Sequence, residues 1–288
     1  MSTPDRRSFL KQAAAGVAAA TALAAAPAAQ AANANEKLSV GLIGCGGRGP
    51  GVAAGMTGIN GVEVTHVCDP DERRLAGAAK RFGVKEGRAS NDLRSMLDDK
   101  SLDAVIVATP DHWHAPASIL ALDAGKHVYV EKPCSHNLRE GRLLVEAAKK
   151  FKRIVQHGTQ MRSSDVTAKA GEVLASGLLG EIKMSKAWNC QKHSPRTRVP
   201  DRSAPESVNY DMWLGPAPLR AFNANRFHGN WNWYRDYGNG DIGDDGIHDL
   251  DMARWGLGVT THPSRITAHG GDTFYRGANK GDREFPDN

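Results

Sequence analysis

Residues 44–49 read Gly44-Cys45-Gly46-Gly47-Arg48-Gly49, glycines in the spacing G-x-G-x-x-G. In a chain with 31 glycines the spacing alone says little. Its context is informative, because a strand-like run precedes it and a helix-like run follows. Gly44 permits a tight turn, Gly46 lets backbone approach a pyrophosphate, and Gly49 lets helix and strand pack closely. Gly47 and Arg48 complete the loop, and the free N–H groups of the following helix favour phosphate. Asp69 ends the next strand-like run. A carboxylate there can accept both ribose hydroxyls of an adenosine and would repel a 2′-phosphate. The pattern points to NAD over NADP, with Arg73 and Arg74 close enough to weaken that preference.

A second group of chemically able residues lies near the C-terminal end of the chain. Residues 240–251 read Gly-Asp-Ile-Gly-Asp-Asp-Gly-Ile-His-Asp-Leu-Asp. A helix from Asp244 onward puts Asp244 and His248 at i and i+4, on one face. Asp245 and Asp249 fall on an adjacent, solvated face. Two weaker signals are set aside. His112 and His114 stand at i and i+2 with no convergent Cys or carboxylate, so no metal site is expected. Cys45, Cys68, Cys134 and Cys190 contain no C-x-x-C and are expected as free thiols.

These residues need a frame. Apolar runs at residues 38–43, 62–67, 104–108, 128–130 and 154–155 read as buried strands. Between them, residues 50–56, 71–82, 114–124 and 137–151 carry helical spacing. Gly83 and Gly125 act as stops, and Asn91 and Asn137 as caps. Strands alternating with such helices mean a parallel sheet covered on both faces. After about residue 157 the texture changes. Five of the six Trp lie there, with a helix expected at 167–176, a strand at 182–188 and Pro-, Asn- and Gly-rich loops. This reads as a second, α+β part.

At 40% hydrophobic and 24% charged the composition excludes wholesale disorder. The 37 basic and 32 acidic residues are interleaved, with a formal net charge of +5. That is a mixed surface, not the basic stripe of a nucleic-acid binder, so no nucleic-acid partner is expected. The N-terminus carries Arg6-Arg7-Ser8-Phe9-Leu10-Lys11, an Ala-rich apolar stretch, and Ala29-Gln30-Ala31. Twin arginines, a modest apolar core and a small-x-small site resemble a twin-arginine export signal at residues 1–31. The mature protein is then expected to begin near Ala32 and to be periplasmic, after passage through the Tat export machinery in folded form. Part of the basic charge belongs to that signal.

The third strand ends in Ala108-Thr109-Pro110-Asp111-His112-Trp113-His114 and the next in Val130-Glu131-Lys132-Pro133. Thr-Pro-x-x-x-His followed by Glu-Lys-Pro at a strand end resembles the Gfo/Idh/MocA oxidoreductases, and more narrowly their exported bacterial members. The resemblance runs from Leu38 to the chain end. It implies an α/β fold: a Rossmann doubly wound parallel sheet at 36–157, then an α+β domain with a mostly antiparallel sheet at 158–288. Family second domains are longer than what remains here, so the chain is expected to be C-terminally truncated. The full-length protein is expected to be a homo-oligomer.

The resemblance also implies roles. Lys132 would approach the substrate hydroxyl beside the nicotinamide, and Asp244 and His248 would match the catalytic pair, with Asp244 orienting the imidazole or contacting a hydroxyl. Thr109, Pro110 and His114 would line the cofactor, and Glu131 would lie beneath its nicotinamide. Gln160 is a plausible contact in the second domain. Trp231 and Tyr234, in the aromatic and amide-rich run at residues 230–235, offer the faces sugar sites use, although packing in a core explains any one of them equally well. The implied reaction is hydride transfer between a sugar or polyol hydroxyl and a tightly held NAD. Two alternatives stand beside it: an NAD-dependent glycoside hydrolase running a closed redox cycle, and a non-catalytic sugar-binding relative.

Overall fold

The computed structural model describes residues 37–189, 197–272 and 281–286. The expected export signal and Cys190 lie outside the described residues. From Leu38 the chain alternates strand and helix. In order these are β1 (Leu38–Ile43), α1 (Gly49–Thr57), β2 (Val62–Cys68), α2 (Glu72–Phe82), β3 (Ala89–Ser90), α3 (Leu93–Leu97) and β4 (Ala104–Val107). Then follow α4 (Asp111–Asp123), β5 (His127–Glu131), α5 (Leu138–Phe151) and β6 (Val155–Gly158). The six strands form one parallel sheet in the order β3-β2-β1-β4-β5-β6, the doubly wound α/β arrangement expected from the alternation.

Register decides what the sheet presents at its C-terminal rim. Ile43 pairs with Cys68 on one side and with Val107 on the other, Val107 pairs with Val130, and Glu131 pairs with Gly158. The residues that follow therefore emerge along one edge: Gly44, Asp69, Ala108, Lys132 and Thr159. The strand order reverses beside β1, which opens a crevice there.

The apolar runs sit on both faces of the sheet. Val40, Leu42, Val64, Val67 and Ile106 pack with Ala53 and Ala78 on one side. Val105, Val107, Val128 and Val130 pack with Leu122, Leu144 and the α3 residues Met96 and Leu97 on the other. Each such fully buried aliphatic side chain contributes about 1.5–3 kcal/mol. Local signals fix the helix ends. Asp71 caps α2 by accepting from the Arg73 N–H, and Gly83 closes it at φ 63°. Asn137 caps α5 through the Glu140 N–H.

Four expectations differ from what the described residues show. Asp92, not Asn91, caps α3, because its carboxylate accepts the Arg94 N–H at 2.9 Å. Helix α4 begins at Asp111, one turn before His114, so His112, Trp113 and His114 are all helical. Residues 182–188 form no strand. They meet no neighbouring strand among the described residues, and a lone strand leaves its N–H and C=O groups without partners. The mostly antiparallel sheet implied for the second part is likewise absent from the described residues, where antiparallel pairing is limited to two isolated bridges, Asp71 with Val208 and Arg202 with Phe222.

The second part instead carries α6 (Asp165–Ala175), α7 (Tyr210–Leu214), α8 (Gly240–Asp244) and α9 (Gly246–Gly256). Its core is aromatic apart from one leucine: Trp213, Leu214, Trp233, Tyr234 and Tyr237. This cluster is fastened to α4. The Trp113 indole donates to the Met212 and Trp213 carbonyls at 3.1 Å, and the His112 ring lies edge-on to Trp213 and Tyr237. Leu38–Asn288 accordingly packs as one unit.

Candidate active site

The rim encloses a cavity of about 460 Å³. Its two ends differ in chemistry.

One end is a glycine cradle. Gly44 adopts φ 93°, and a Cβ there would overlap the Ala108 carbonyl. A Cβ at Gly49 would overlap the Gly44 carbonyl and crowd Leu42 and Ala108. Larger residues would force the loop off the sheet, so Gly44 and Gly49 are held to glycine by packing and Gly44 also by conformation. Gly49 opens α1 with Pro50 at its first turn, and Gly46 and Gly47 line the cavity. Asp69 is 5% exposed. Its Oδ2 accepts the Cys45 N–H at 2.7 Å and its Oδ1 accepts the Asp71 N–H at 2.9 Å. Burial pushes its pKa upward, and those two N–H groups and the Arg74 charge oppose the shift. The Arg74 guanidinium lies against the Gly46 backbone, where it can meet a phosphate. A loop kept clear of side chains, a helix N-terminus and a carboxylate at the next strand end fit a dinucleotide.

The middle of the wall comes from the exit of β4 and the turn after β5. Thr109, Pro110 and His114 line it. Both His114 ring nitrogens face carbonyl oxygens, Pro133 at 2.6 Å and Thr109 at 2.8 Å. The ring braces the two turns against each other and leaves no nitrogen for a ligand. His112 is similarly occupied, with Nε2 3.0 Å from the Trp213 carbonyl. Glu131 is buried; it accepts from Arg48 Nε at 3.0 Å and from the Lys132 N–H at 3.2 Å. Arg48 thus reaches the site by clamping the glycine loop to the β5 end.

The far end holds the reactive groups. Lys132 Nζ donates to Asp244 Oδ1 at 2.5 Å and to the Asp244 carbonyl at 2.6 Å. Asn232 Nδ2 donates to the other carboxylate oxygen at 3.0 Å. His248 lies on the same cavity wall as Lys132, and its Nδ1 is buried with no hydrogen-bond partner among the described residues. Gln160 and Trp231 also line this cavity.

Corrections follow from this geometry. Asp244 and His248 do not share one helix: α8 ends at Asp244, Asp245 makes the break, and α9 starts at Gly246. The Asp244 carboxylate is spent on Lys132 and Asn232, so it holds the lysine rather than the imidazole. Asp245 is no solvated bystander; it lines the cavity, and burial followed by the Asp244 charge raises its pKa. Tyr234, expected against substrate, is 1% exposed and outside the cavity lining. Its hydroxyl donates to Asp282 at 2.8 Å, which makes it a core residue. Cys45, Cys68 and Cys134 are free thiols, and burial pushes the pKa of each upward.

Sequence reasoning passed over Asn232, Trp113, Trp213 and His228. Asn232 stood inside the amide-rich run at 230–235 and could have been chosen with its neighbours. His228 had no local signal at all.

Residues 38–159 match the family model described as the Gfo/Idh/MocA oxidoreductase family, NAD-binding Rossmann fold. Residues 164–273 match the model for its C-terminal alpha/beta domain. Levoglucosan dehydrogenase of Pseudarthrobacter phenanthrenivorans is 28% identical over 192 residues, 67% of this chain and 42% of that protein. Glycosyl hydrolase family 109 protein 2 of Shewanella sp. (strain ANA-3) is 35% identical over 172 residues, 51% of this chain and 38% of that protein. Among solved structures, levoglucosan dehydrogenase in complex with NADH and levoglucosan is similar with a TM-score of 0.58 at 27% identity, covering 77% of this chain and 55% of that one. The chain spans less than half the length of these two curated relatives.

Proposed function

Because the chain belongs to the Gfo/Idh/MocA oxidoreductase family, with its NAD-binding and C-terminal domains both represented, we propose that it moves hydride between a sugar or polyol hydroxyl and NAD. One observation carries this reading. Lys132 and His248 stand on the wall of the same cavity as the glycine cradle and Asp69.

NAD, when bound, supplies the carbon that accepts the hydride. The chain's own residues do the rest. An ammonium group has three donors, and Lys132 directs two of them at Asp244. The third is left for the substrate oxygen. Asp244 and Asn232 fix where that donor points. His248 lines the cavity beside Lys132, and its imidazole is the candidate base for the hydroxyl proton as the adjacent carbon loses hydride. Such general-base help is worth about 10²–10⁴-fold. In the reverse direction the same two residues return a proton to the reduced carbonyl oxygen. Trp231 supplies an apolar face and Gln160 an amide for the remaining ring substituents.

The similarity to a glycosyl hydrolase family 109 protein supports a second reading, a hydrolase in which hydride leaves and returns within one turnover. A carbohydrate panel with added NAD separates them. Net growth of reduced-nicotinamide absorbance on a sugar or polyol supports the dehydrogenase. Glycoside cleavage with no net reduction supports the hydrolase, and neither activity supports a binding protein. Export belongs to the same proposal: the twin arginines and small-x-small site predict secreted protein beginning near Ala32, and N-terminal sequencing that found Met1 would refute cleavage.

A further inference from the structure

We propose that His228 and Asp71 form a latch over the adenosine end of the dinucleotide site, so that cofactor release requires their hydrogen bond to open. The inference rests on the NAD reading above and adds to it a residue from the second part of the chain.

The turn after Asp69 is held from outside the parallel sheet. The Asn209 N–H donates to the Pro70 carbonyl at 2.8 Å and the Glu72 N–H donates to the Ser207 carbonyl at 2.9 Å, on either side of the bridge between Asp71 and Val208. Residues 207–209 therefore lie along residues 70–72, directly after the carboxylate placed for ribose. His228 adds the second contact. Its Nε2 is 2.7 Å from Asp71 Oδ2, while Asp71 Oδ1 keeps its capping bond to the Arg73 N–H. One carboxylate thus serves a helix start and a distant loop at once.

His228 is not placed by local preference. Its φ is 62°, a left-handed conformation that disfavours side chains with a Cβ. Such a conformation is unfavourable and persists where surrounding contacts impose it. The contacts here are Asp71 and the Phe227 ring, whose centroid is 3.7 Å from that of the imidazole. Together with Gly229, His228 lines the same cavity as Asp69, Pro70 and Arg74. Part of the cavity lining next to the ribose carboxylate is thus supplied by the second part of the chain. A dinucleotide with its adenosine at Asp69 lies behind the latch.

The test is the release rate of NADH from purified full chain, followed by loss of its bound-state fluorescence after a chase with excess NAD. His228→Gly removes the ring and relieves the backbone; Asp71→Ser keeps a capping oxygen but cannot reach residue 228. Each is expected to speed release about tenfold or more, the double variant no further than either alone, with ADP-ribose affinity lowered in parallel. The thermal midpoint of His228→Gly should not fall. Wild-type release rates in both variants, or faster NADH release without any loss of ADP-ribose affinity, would overturn the latch while leaving the NAD reading intact. A wild-type chain that binds no dinucleotide would overturn both.

Discussion

The Lys132 ammonium and Asp244 are joined twice, through the carboxylate at 2.5 Å and through the backbone carbonyl at 2.6 Å. The lysine comes from the end of β5 and the aspartate from the end of α8. This one contact ties the lysine at the end of β5 to the helix break that leads to His248.

Lys132→Met keeps an unbranched side chain, one atom shorter, and removes its donors. It should lower kcat by about 10²–10⁴-fold with nucleotide binding retained. Asp244→Asn should be milder, since its amide oxygen can still accept from the ammonium but the charge is gone. Steady-state kinetics beside a nucleotide titration checks both. Full activity in Lys132→Met would remove the lysine from the mechanism.

His248→Asn removes the base without adding bulk. The expected loss is again about 10²–10⁴-fold in kcat, with KM for the sugar less affected. A variant that changed KM alone would make His248 a binding residue.

Asp69→Ala should weaken NAD and narrow the preference over NADP. Hydrogen bonds to a charged group contribute about 1.5–3 kcal/mol, which corresponds to roughly ten- to hundredfold in Kd. Paired titrations with NAD and NADP measure it. An unchanged ratio between the two cofactors would place the ribose elsewhere.

The parallel sheet and the glycine cradle were legible in the sequence because both rest on short-range rules. Apolar runs of strand length, a helix capped by Asn137 and another stopped by Gly83, and glycines at fixed offsets need no knowledge of distant contacts. The rim that collects Gly44, Asp69 and Lys132 then follows from the register of parallel strands. The second part was harder to read. Tyr234 and Trp231 sit three residues apart in one aromatic run, yet one is core and the other lines the cavity, since a run without regular structure carries no period that separates faces. Residues 182–188 alternate like a strand but have no neighbour to pair with among the described residues. The pairing of Asp244 with Lys132 spans more than a hundred residues, and the i,i+4 reading with His248 failed because the helix breaks at Asp245. His228 became visible only through its contact with Asp71.

Acid stability offers an independent check on the joint between the two parts. Burial lowers the His112 pKa to about 4, against the pull of the Trp213 and Tyr237 carbonyls; His136 and His114 push the same way as burial. The unfolded ring takes up a proton near 6.5. Between about 4 and 6.5 the unfolded chain therefore binds the extra proton, and this residue's contribution makes stability rise with pH and fall on acidification. The effect is up to about 3 kcal/mol across that window. His112→Asn should flatten this part of the profile, as followed by denaturant midpoints at several pH values. An unaltered slope would mean that the ring is not held neutral.

The most direct measurement follows the hydride itself. A sugar or polyol that turns over is labelled with deuterium at the carbon bearing the reactive hydroxyl, and the nicotinamide product is analysed for label, with wild-type chain and with Lys132→Met. The account predicts deuterium on the nicotinamide with the wild type and none above background with the variant, although both retain bound nucleotide. Reduced nicotinamide free of label, or equal transfer by the variant, would contradict it.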